Sequence, residues 1–349
     1  MHLQALATTV PAANYTQAQC WDIVQRSTAR SRLSRRSSLI LRAILRGDSG
    51  IEVRHFAMPE IERVFDLDAD ALNAAFRREA PKLAGDALVS ALGAADVEVG
   101  ELDALFVCTC TGYLCPGVSS YVSEQRGLRP GAFLQDLVGL GCGAAIPTLR
   151  AASCFLAAHP RAVVACVAVE VCSAAFYLDD DPGVLISACL FSDGAAATVW
   201  RGVDSAGSGL RVRGFDTLHR PADRDRLRFE QRGGKLRNLL DASVPQVAAD
   251  AVHRLFHDEQ LRCPERPIER IIAHPGGRDV LDAVETALPG HRLDASRKIL
   301  ARNGNMSSPS VLFALEEALK DGRPKENADW WLVSFGAGFS AHGCRIGLA

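Results

Sequence analysis

The chain of 349 residues has no long uninterrupted apolar run and no strong net charge. Its apolar runs, such as 162–169, are far shorter than the roughly 20 residues that a membrane-spanning helix needs. A formal net charge of −2 creates no field that would recruit nucleic acid or anionic lipid. Residues 1–13 lack the basic start of a secretory signal. We therefore expect a cytoplasmic protein with no nucleic-acid partner and no membrane insertion.

Metal-ligand spacing is also missing, although the chain has eleven cysteines. Cys108 and Cys110 are one residue apart, and no pair of Cys-x-x-Cys motifs occurs. Most of the other cysteines lie inside apolar runs, where a thiol behaves as a small apolar side chain. In a cytoplasmic protein these cysteines stay reduced. We expect neither a disulfide framework nor a metal site.

The apolar pattern predicts an α/β fold. Strand-like runs at 102–110, 162–172, 195–200, 210–218, 268–273, 330–335 and 343–348 alternate with helical patterns at 15–45, 70–92, 119–127, 244–259, 280–288 and 310–319. Such alternation indicates a parallel-type sheet that is buried on both faces. The pattern restarts near residue 205, which predicts a duplicated fold with halves at 1–203 and 204–349. The charged stretch 220–237 is interpreted as a loop.

One cysteine is placed differently from the others. Cys142 stands between Gly141 and Gly143, where an apolar strand turns into a helix, and this placement predicts an exposed thiol rather than a packed one. Glycine permits a tight turn and close approach of another group, and the start of a helix favours a thiolate. The pattern resembles a nucleophile elbow with sulfur in place of oxygen. A buried structural cysteine is the alternative.

Two further glycine-flanked loops carry reactive side chains. His274 precedes Pro275-Gly276-Gly277, and Asn305 follows Gly304; each loop is expected at the end of an apolar strand. An imidazole can deprotonate a thiol, and an imidazole with an amide can stabilise an oxyanion. Because functional groups collect at the carboxyl ends of strands, the three residues fit acyl transfer through a thioester. Singly, His274 could be a loop histidine and Asn305 a helix cap.

Seven arginines lie in the N-terminal helical region, at positions 26, 30, 32, 35, 36, 42 and 46. They form either a solvated helix face or a site for a phosphorylated ligand, which guanidinium groups suit well.

The motifs around these residues resemble one family. QDLVGLGCGAAIPTLR around Cys142, FSDGAAAT around Phe191, IIAHPGGRDVLDAVE around His274 and RNGNMSSPSVLFALEEAL around Asn305 are similar to the type III polyketide synthases, the chalcone and stilbene synthase family. The resemblance covers essentially the whole chain. It implies a thiolase fold, which is a duplicated five-layered αβαβα arrangement, and a homodimer.

The resemblance also implies roles for individual residues. Cys142 would carry an acyl group from a starter acyl-CoA, while His274 and Asn305 would bind malonyl-CoA and stabilise the enolate formed on its decarboxylation. Phe191 would be the gatekeeper aromatic between the CoA tunnel and the cavity. No cofactor is implied. Matching substrate-cavity positions are Cys110, Thr111, Cys115, Cys172, Ala174, Ser307 and Gly338, with Cys115 reaching toward the partner's cavity. Arg42 and Arg46 lie nearest to the region that binds CoA.

Two departures from the family concern the substrate. SFGAG has Ala337 where a proline is usual, and CSAAF at 172–176 has small residues that resemble bacterial alkylpyrone and alkylresorcinol synthases. Small residues leave space for an alkyl chain, each buried methylene of which contributes about 0.8 kcal/mol. We therefore expect a fatty acyl-CoA starter, two or three malonyl extensions and a pyrone or resorcinol product. The alternatives are a ketoacyl-ACP synthase III-like single condensation, a cysteine thioesterase and a redox-sensing thiol protein.

Overall fold

The structure, a computed structural model, describes residues 1–202 and 209–349. The strands are β1 His2–Thr9, β2 Asn14–Thr16, β3 Val53–His55, β4 Ala104–Cys108, β5 Phe133–Leu137, β6 Val163–Glu170, β7 Gly194–Arg201, β8 Leu210–His219, β9 Leu227–Arg232, β10 Lys235–Leu240, β11 Ile268–Ala273, β12 Asp329–Gly336 and β13 Ser340–Leu348. The helices are α1 Gln17–Arg26, α2 Arg35–Leu45, α3 Ala69–Ala94, α4 Val118–Arg126, α5 Ala145–Ala158, α6 Pro182–Leu190, α7 Val244–Arg262, α8 Arg278–Ala287, α9 Asp294–Asn303 and α10 Ser310–Lys320.

The main sheet has nine strands in the order β11-β12-β13-β8-β1-β7-β6-β4-β5. The two halves of this order repeat the same topology. In the first half, β7 is antiparallel to β1 and β6, and β6 is parallel to β4. In the second half, β13 is antiparallel to β8 and β12, and β12 is parallel to β11. The duplication expected from the pattern is therefore visible in strand order and direction.

Three apolar cores show how the layers stack. One core packs α3 against one face of the first half, and another packs α7 and α8 against one face of the second half. The core between them contains α5 and α10 together with alternate residues of β6 and β12. Because both halves pack on this shared helical layer, the arrangement is the five-layered αβαβα fold.

The N-terminal helical region differs from the single helix expected over 15–45. Thr16 caps α1 through a capping box with Gln19. The helix ends at Arg26, and α2 begins at Arg35 with Ser34 as its cap. Serine hydroxyls at positions 27 and 34 cap the short segments that follow them, which favours a break over a continuous helix.

The charged stretch 220–237 is not a loop throughout. A short 3-10 turn leads into a hairpin in which β9 and β10 pair antiparallel. Gly233 and Gly234 both have positive φ, as a two-residue hairpin turn requires. The sequence interpretation also missed α9 and expected β13 three residues too late. The expected boundary between the halves, at 203/204, lies outside the described residues.

No helix among the described residues is long and apolar enough to cross a membrane. In the same residues, no group of three or more His, Cys, Asp or Glu side chains is placed to hold a metal ion.

Candidate active site

The Cys142 elbow is shaped by contact with the second half of the chain. After β5, a 3-10 turn at Gly141–Gly143 leads into α5, and Gly141 has φ +56°. A Cβ on Gly336, at the end of β12, would lie 2.9 Å from the Cys142 nitrogen. Ser334 on the same strand donates a hydrogen bond to the Gly143 carbonyl at 2.9 Å. Position 336 must therefore be glycine for the elbow to lie against β12.

Direct contacts join the three loops that the sequence singled out. Ser307 Oγ donates to Cys142 Sγ at 3.2 Å. Asn305 Oδ1 accepts from the Ser307 backbone N–H at 2.8 Å, and Asn305 Nδ2 donates to the Gly276 carbonyl at 3.0 Å. Gly276 is two residues beyond His274, whose own carbonyl accepts from the Gly276 N–H at 2.9 Å. Residues 142, 305 and the 274–276 loop thus form one connected site.

Burial keeps the His274 imidazole neutral. The residue is 1% exposed, its backbone N–H donates to the Val333 carbonyl, and its ring lies edge-on to Phe335 with centroids 5.4 Å apart. Nδ1 has no hydrogen-bond partner within residues 1–202 and 209–349. Burial lowers the pKa of His274 to about 3. The ring is therefore uncharged near neutral pH, with one nitrogen unprotonated.

The Cys142 thiol departs from expectation in two respects. It is buried, with 8% exposure, although a glycine-flanked elbow suggested an exposed side chain. Burial raises its pKa to about 12, with the Ser307 hydrogen bond acting in the opposite direction. We expected the start of the helix to lower the pKa of this thiol. The pKa is raised instead, because burial disfavours the charged thiolate. Attack by this sulfur therefore needs a base.

Asn305 does not follow a strand, as the sequence interpretation assumed. It follows α9 after Gly304, which has φ +67°. Its backbone N–H donates to the Leu190 carbonyl at 3.0 Å, and its carbonyl accepts from the Ser192 N–H at 2.8 Å. These bonds form a parallel bridge that places Asn305 beside Phe191.

A cavity of about 450 Å³, counting its part open to solvent, adjoins these residues. Its lining residues are Cys110, Thr111, Cys172, Ala175, Phe176, Tyr177, Val184, Ser187, Ala188, Phe191, Phe229, Leu236, Asn238 and Ser307. Cys110, Thr111, Cys172, Phe191 and Ser307 are thus brought together. The substrate roles of the sequence-derived residues remain predictions.

Three other residues of that set lie elsewhere. Ala174 is buried outside the lining, which contains its neighbour Ala175 instead. Gly338 also lies outside the lining, with φ +128°. Cys115 is exposed in the single chain.

The two arginines expected near CoA are on the outside of the cavity wall. Arg42 lies on α2 and Arg46 at its end, and both are exposed. Neither forms an ion pair with any described residue. Helix α2 packs against α6, which carries the lining residues Ser187 and Ala188.

Glu170 is a site residue that the sequence interpretation missed. This fully buried carboxylate accepts hydrogen bonds from the backbone N–H groups of Cys110 and Thr111, at 2.9 and 3.1 Å. It also accepts from the hydroxyls of Ser307 and Ser308, at 3.4 and 2.5 Å. Burial raises its pKa. A lone acidic residue ending the apolar run VVACVAVE was the signal available in the sequence.

Arg54 on β3 was missed as well. It is 2% exposed, and its Nη1 donates to the carbonyls of Ala188 and Phe191 at 2.7 and 3.0 Å. The next residue, His55, donates its N–H to Ser192 Oγ at 2.8 Å. Strand β3 therefore supports the segment that carries Phe191.

The five-layered αβαβα arrangement places the chain in the thiolase fold class. Family comparison makes this more specific. Residues 11–207 match the model of FAE1/type III polyketide synthase-like proteins, and residues 236–346 match that of the C-terminal domain of chalcone and stilbene synthases. The chain belongs to the type III polyketide synthases. It is an enzyme of acyltransferase type, a malonyl-CoA-dependent polyketide synthase.

Several curated relatives and solved structures are similar along most of the chain. The 1,3,6,8-tetrahydroxynaphthalene synthase of Streptomyces peucetius subsp. caesius is 33% identical over 319 residues, covering 86% of this chain and 82% of the relative. The 3,5-dihydroxyphenylacetyl-CoA synthase of Amycolatopsis balhimycina is 28% identical and covers 95% and 89%. The crystal structure of 1,3,6,8-tetrahydroxynaphthalene synthase from Streptomyces coelicolor A3(2) superposes with a TM-score of 0.88 at 26% identity, covering 100% and 99%.

Proposed function

We propose that Cys142 accepts an acyl group from a starter acyl-CoA and that malonyl-CoA extends it by decarboxylative condensation. The supporting observation is the contact path from Cys142 through Ser307 and Asn305 to the loop of His274. In the loading step, sulfur attacks the thioester carbonyl while neutral His274 takes the thiol proton. CoA leaves as the thiol, and the acyl group remains as a thioester on Cys142.

His274 and Asn305 next bind the thioester carbonyl of malonyl-CoA. Loss of CO2 places negative charge on that oxygen, and donors fixed in advance stabilise it without reorganisation. The enolate carbon then attacks the Cys142 thioester, which breaks the carbon–sulfur bond. Asn305 is suited to this role because its amide is held by the Gly276 carbonyl and the Ser307 N–H.

Phe191 is proposed as the apolar surface against which the malonyl carboxylate is desolvated before CO2 leaves. Its bridge to Asn305 supports this placement. Arg42 and Arg46 are proposed to bind CoA phosphates, because both are exposed cations on a helix packed against the cavity wall.

For the starter, we propose a fatty acyl-CoA, with an alkylpyrone or alkylresorcinol as the product. The support is the largely apolar lining, which includes Ala175, Val184 and Leu236. A second candidate for the product is a small hydroxylated aromatic without an alkyl chain. The names of relatives favour it, since they specify tetrahydroxynaphthalene, dihydroxyphenylacetyl-CoA and, at 25% identity, phloroglucinol.

The test is mass spectrometry of the products formed from malonyl-CoA, alone and with acetyl-, benzoyl-, octanoyl- and palmitoyl-CoA. Alkylpyrones or alkylresorcinols that appear only with octanoyl- or palmitoyl-CoA support the fatty starter. Hydroxylated aromatics from malonyl-CoA alone favour the second candidate. Single-condensation products that require malonyl-ACP, or release of free acid alone, contradict polyketide formation from CoA substrates.

We also propose that the protein is cytoplasmic and forms a homodimer. The proposed interface is the β5 edge of the main sheet. Strand β5 ends the strand order, and Phe133 and Val138 there are 46% and 51% exposed. Exposed Cys115 would then face the partner's cavity. Light scattering on the wild type and Phe133→Asp tests this: a monomeric wild type contradicts the dimer, and an unaffected dimer in the variant contradicts this interface.

A further inference from the structure

One side chain in the cavity wall has an unused acceptor. Asn238 lies on β10, lines the cavity and is 4% exposed. Its Nδ2 donates to Ser187 Oγ at 2.9 Å. Its Oδ1 is buried and has no hydrogen-bond partner in the described parts of the chain. An unsatisfied buried acceptor costs about 1–3 kcal/mol, so a bound donor that reaches Oδ1 would be stabilised.

The neighbouring serine determines how the amide is oriented. Ser187 Oγ donates its own hydrogen to the Gly183 carbonyl at 2.7 Å. Its remaining capacity is as an acceptor, which suits the amide NH2 of Asn238. A flipped amide would bring Oδ1 against the serine lone pairs. Asn238, a residue of the cavity wall, therefore keeps its free oxygen acceptor in a fixed orientation.

The position of this acceptor follows from α6. Ser187, which holds Asn238, and Phe191 are four residues apart, so they lie on the same side of the chain about one helical turn from each other. Both line the cavity. Much of the lining near Asn238 is apolar, including Phe229 and Leu236 of the same hairpin. A hydroxyl of a bound chain would find few competing acceptors there.

We propose that Asn238 is a specificity-determining residue whose Oδ1 accepts a hydrogen bond from an enol or phenol hydroxyl of the extended chain or its ring product. The inference rests on the proposed polyketide function. An oxygen acceptor stabilises the enol form of a β-dicarbonyl unit but not a ketone, which has no donor. It should therefore bias which carbonyls enolise and how long the chain remains bound.

The test compares three full-length variants with the wild type. Asn238→Leu keeps approximate volume and removes the acceptor. Asn238→Gln retains an amide, with an NH2 donor for Ser187 Oγ and an oxygen acceptor. Arg237→Gln is the matched control, because neighbouring strand residues point to opposite faces and Arg237 instead pairs with Asp181 and Glu230. Product distribution, KM for malonyl-CoA and unfolding temperature are measured for each.

The expected result is a shift of the product distribution by about 3- to 10-fold in Asn238→Leu, as one neutral hydrogen bond would give. KM for malonyl-CoA should be unchanged, and Asn238→Gln should retain more of the wild-type distribution than Asn238→Leu. Three outcomes overturn the inference: an unchanged distribution in Asn238→Leu, the same shift in Arg237→Gln, or a change in KM alone, which would assign the acceptor to the CoA arm.

A binding experiment separates this inference from the proposed function. Orcinol carries two phenol hydroxyls, whereas 3,5-dimethoxytoluene has none. Wild type should bind orcinol more tightly than the ether, and Asn238→Leu should lose about 3- to 10-fold of that preference. No preference in the wild type, or an equal one in the variant, overturns the inference even if polyketides form. If no polyketide forms but the preference depends on Asn238, only the proposed function fails.

Discussion

Strand β12 has a buried polar cluster at each end, and the two clusters are built differently. At its start, Asp329 is fully buried and accepts from Arg213, Arg266 and Arg345 at 2.8, 3.0 and 2.7 Å. At its end, Gly336 lies against the Cys142 elbow, which contacts the loop of neutral His274 through Ser307 and Asn305. In the first cluster both oxygens of Asp329 accept hydrogen bonds from arginines. In the second, His274 Nδ1 has no partner among the described residues. Full pairing serves stability, and incomplete pairing leaves groups free for chemistry.

Cys142→Ala, in the cluster at the end of β12, should cause the largest loss of activity. Product formation should fall by at least about a thousandfold, since no acyl thioester can form. The unfolding temperature should change little, because one small buried atom is removed. Cys166→Ala, in the core behind α5, is the matched control and should keep activity. Product formation by Cys142→Ala near the wild-type rate would exclude this cysteine as nucleophile.

Asp329→Asn should destabilise the cluster at the start of β12. Removing one partner of a buried ion network leaves arginine charge uncompensated and should cost about 3–5 kcal/mol of unfolding free energy. Denaturant unfolding measures this loss. Activity per folded molecule, assayed well below the transition, should be retained. Asp294→Asn, which removes an exposed pair with Arg292, should cost little. Equal costs in the two variants would contradict the distinction between the clusters.

Glu170→Gln tests whether activity at Cys142 also depends on a buried carboxylate whose two oxygens both accept hydrogen bonds. The amide oxygen of glutamine can still accept from the N–H groups of Cys110 and Thr111, which both bond Oε2 of Glu170. The amide NH2 then replaces Oε1 and cannot accept from the hydroxyls of Ser307 and Ser308, so the Ser307 loop should be displaced. We expect about a 10- to 100-fold loss of kcat, equivalent to 1–3 kcal/mol. Ser308→Ala removes one donor to Glu170 and should show a smaller loss. Unchanged kcat in Glu170→Gln would show that this carboxylate does not position Ser307.

His274→Gln should change how stability depends on pH. The unfolded chain binds a proton on histidine below about pH 6.5, whereas buried His274 has its pKa lowered to about 3. Wild-type stability should therefore fall as pH falls from 7 to 4, by this linkage. The variant should lose less, measured as Tm at each pH. His257→Gln, at an exposed site, is the control. An equally steep fall in His274→Gln would contradict the assignment.

Glycine-flanked loops allowed the sequence to identify Cys142, His274 and Asn305, because such loops combine a reactive side chain with a tight backbone. The same reasoning missed Glu170 and Arg54, whose neighbours along the chain carry no catalytic pattern. The partners that hold these two side chains are 59 or more residues away in sequence. The family resemblance selected Ala174, which lies beside the lining residue Ala175 in the 3-10 turn at 172–175, and its substrate role stays a prediction.

Sequence patterns alone determined the alternation of buried strands and helices, the duplicated fold and the three reactive loops, because these depend on local periodicity and residue chemistry. Tertiary structure decided the hairpin that carries Asn238, the support of the Cys142 elbow by β12 and the direction of the thiol pKa. Each of these features depends on contacts between segments that are far apart in sequence and that bury one another from water. Burial depends on the assembled layers, so no local stretch of sequence contains it.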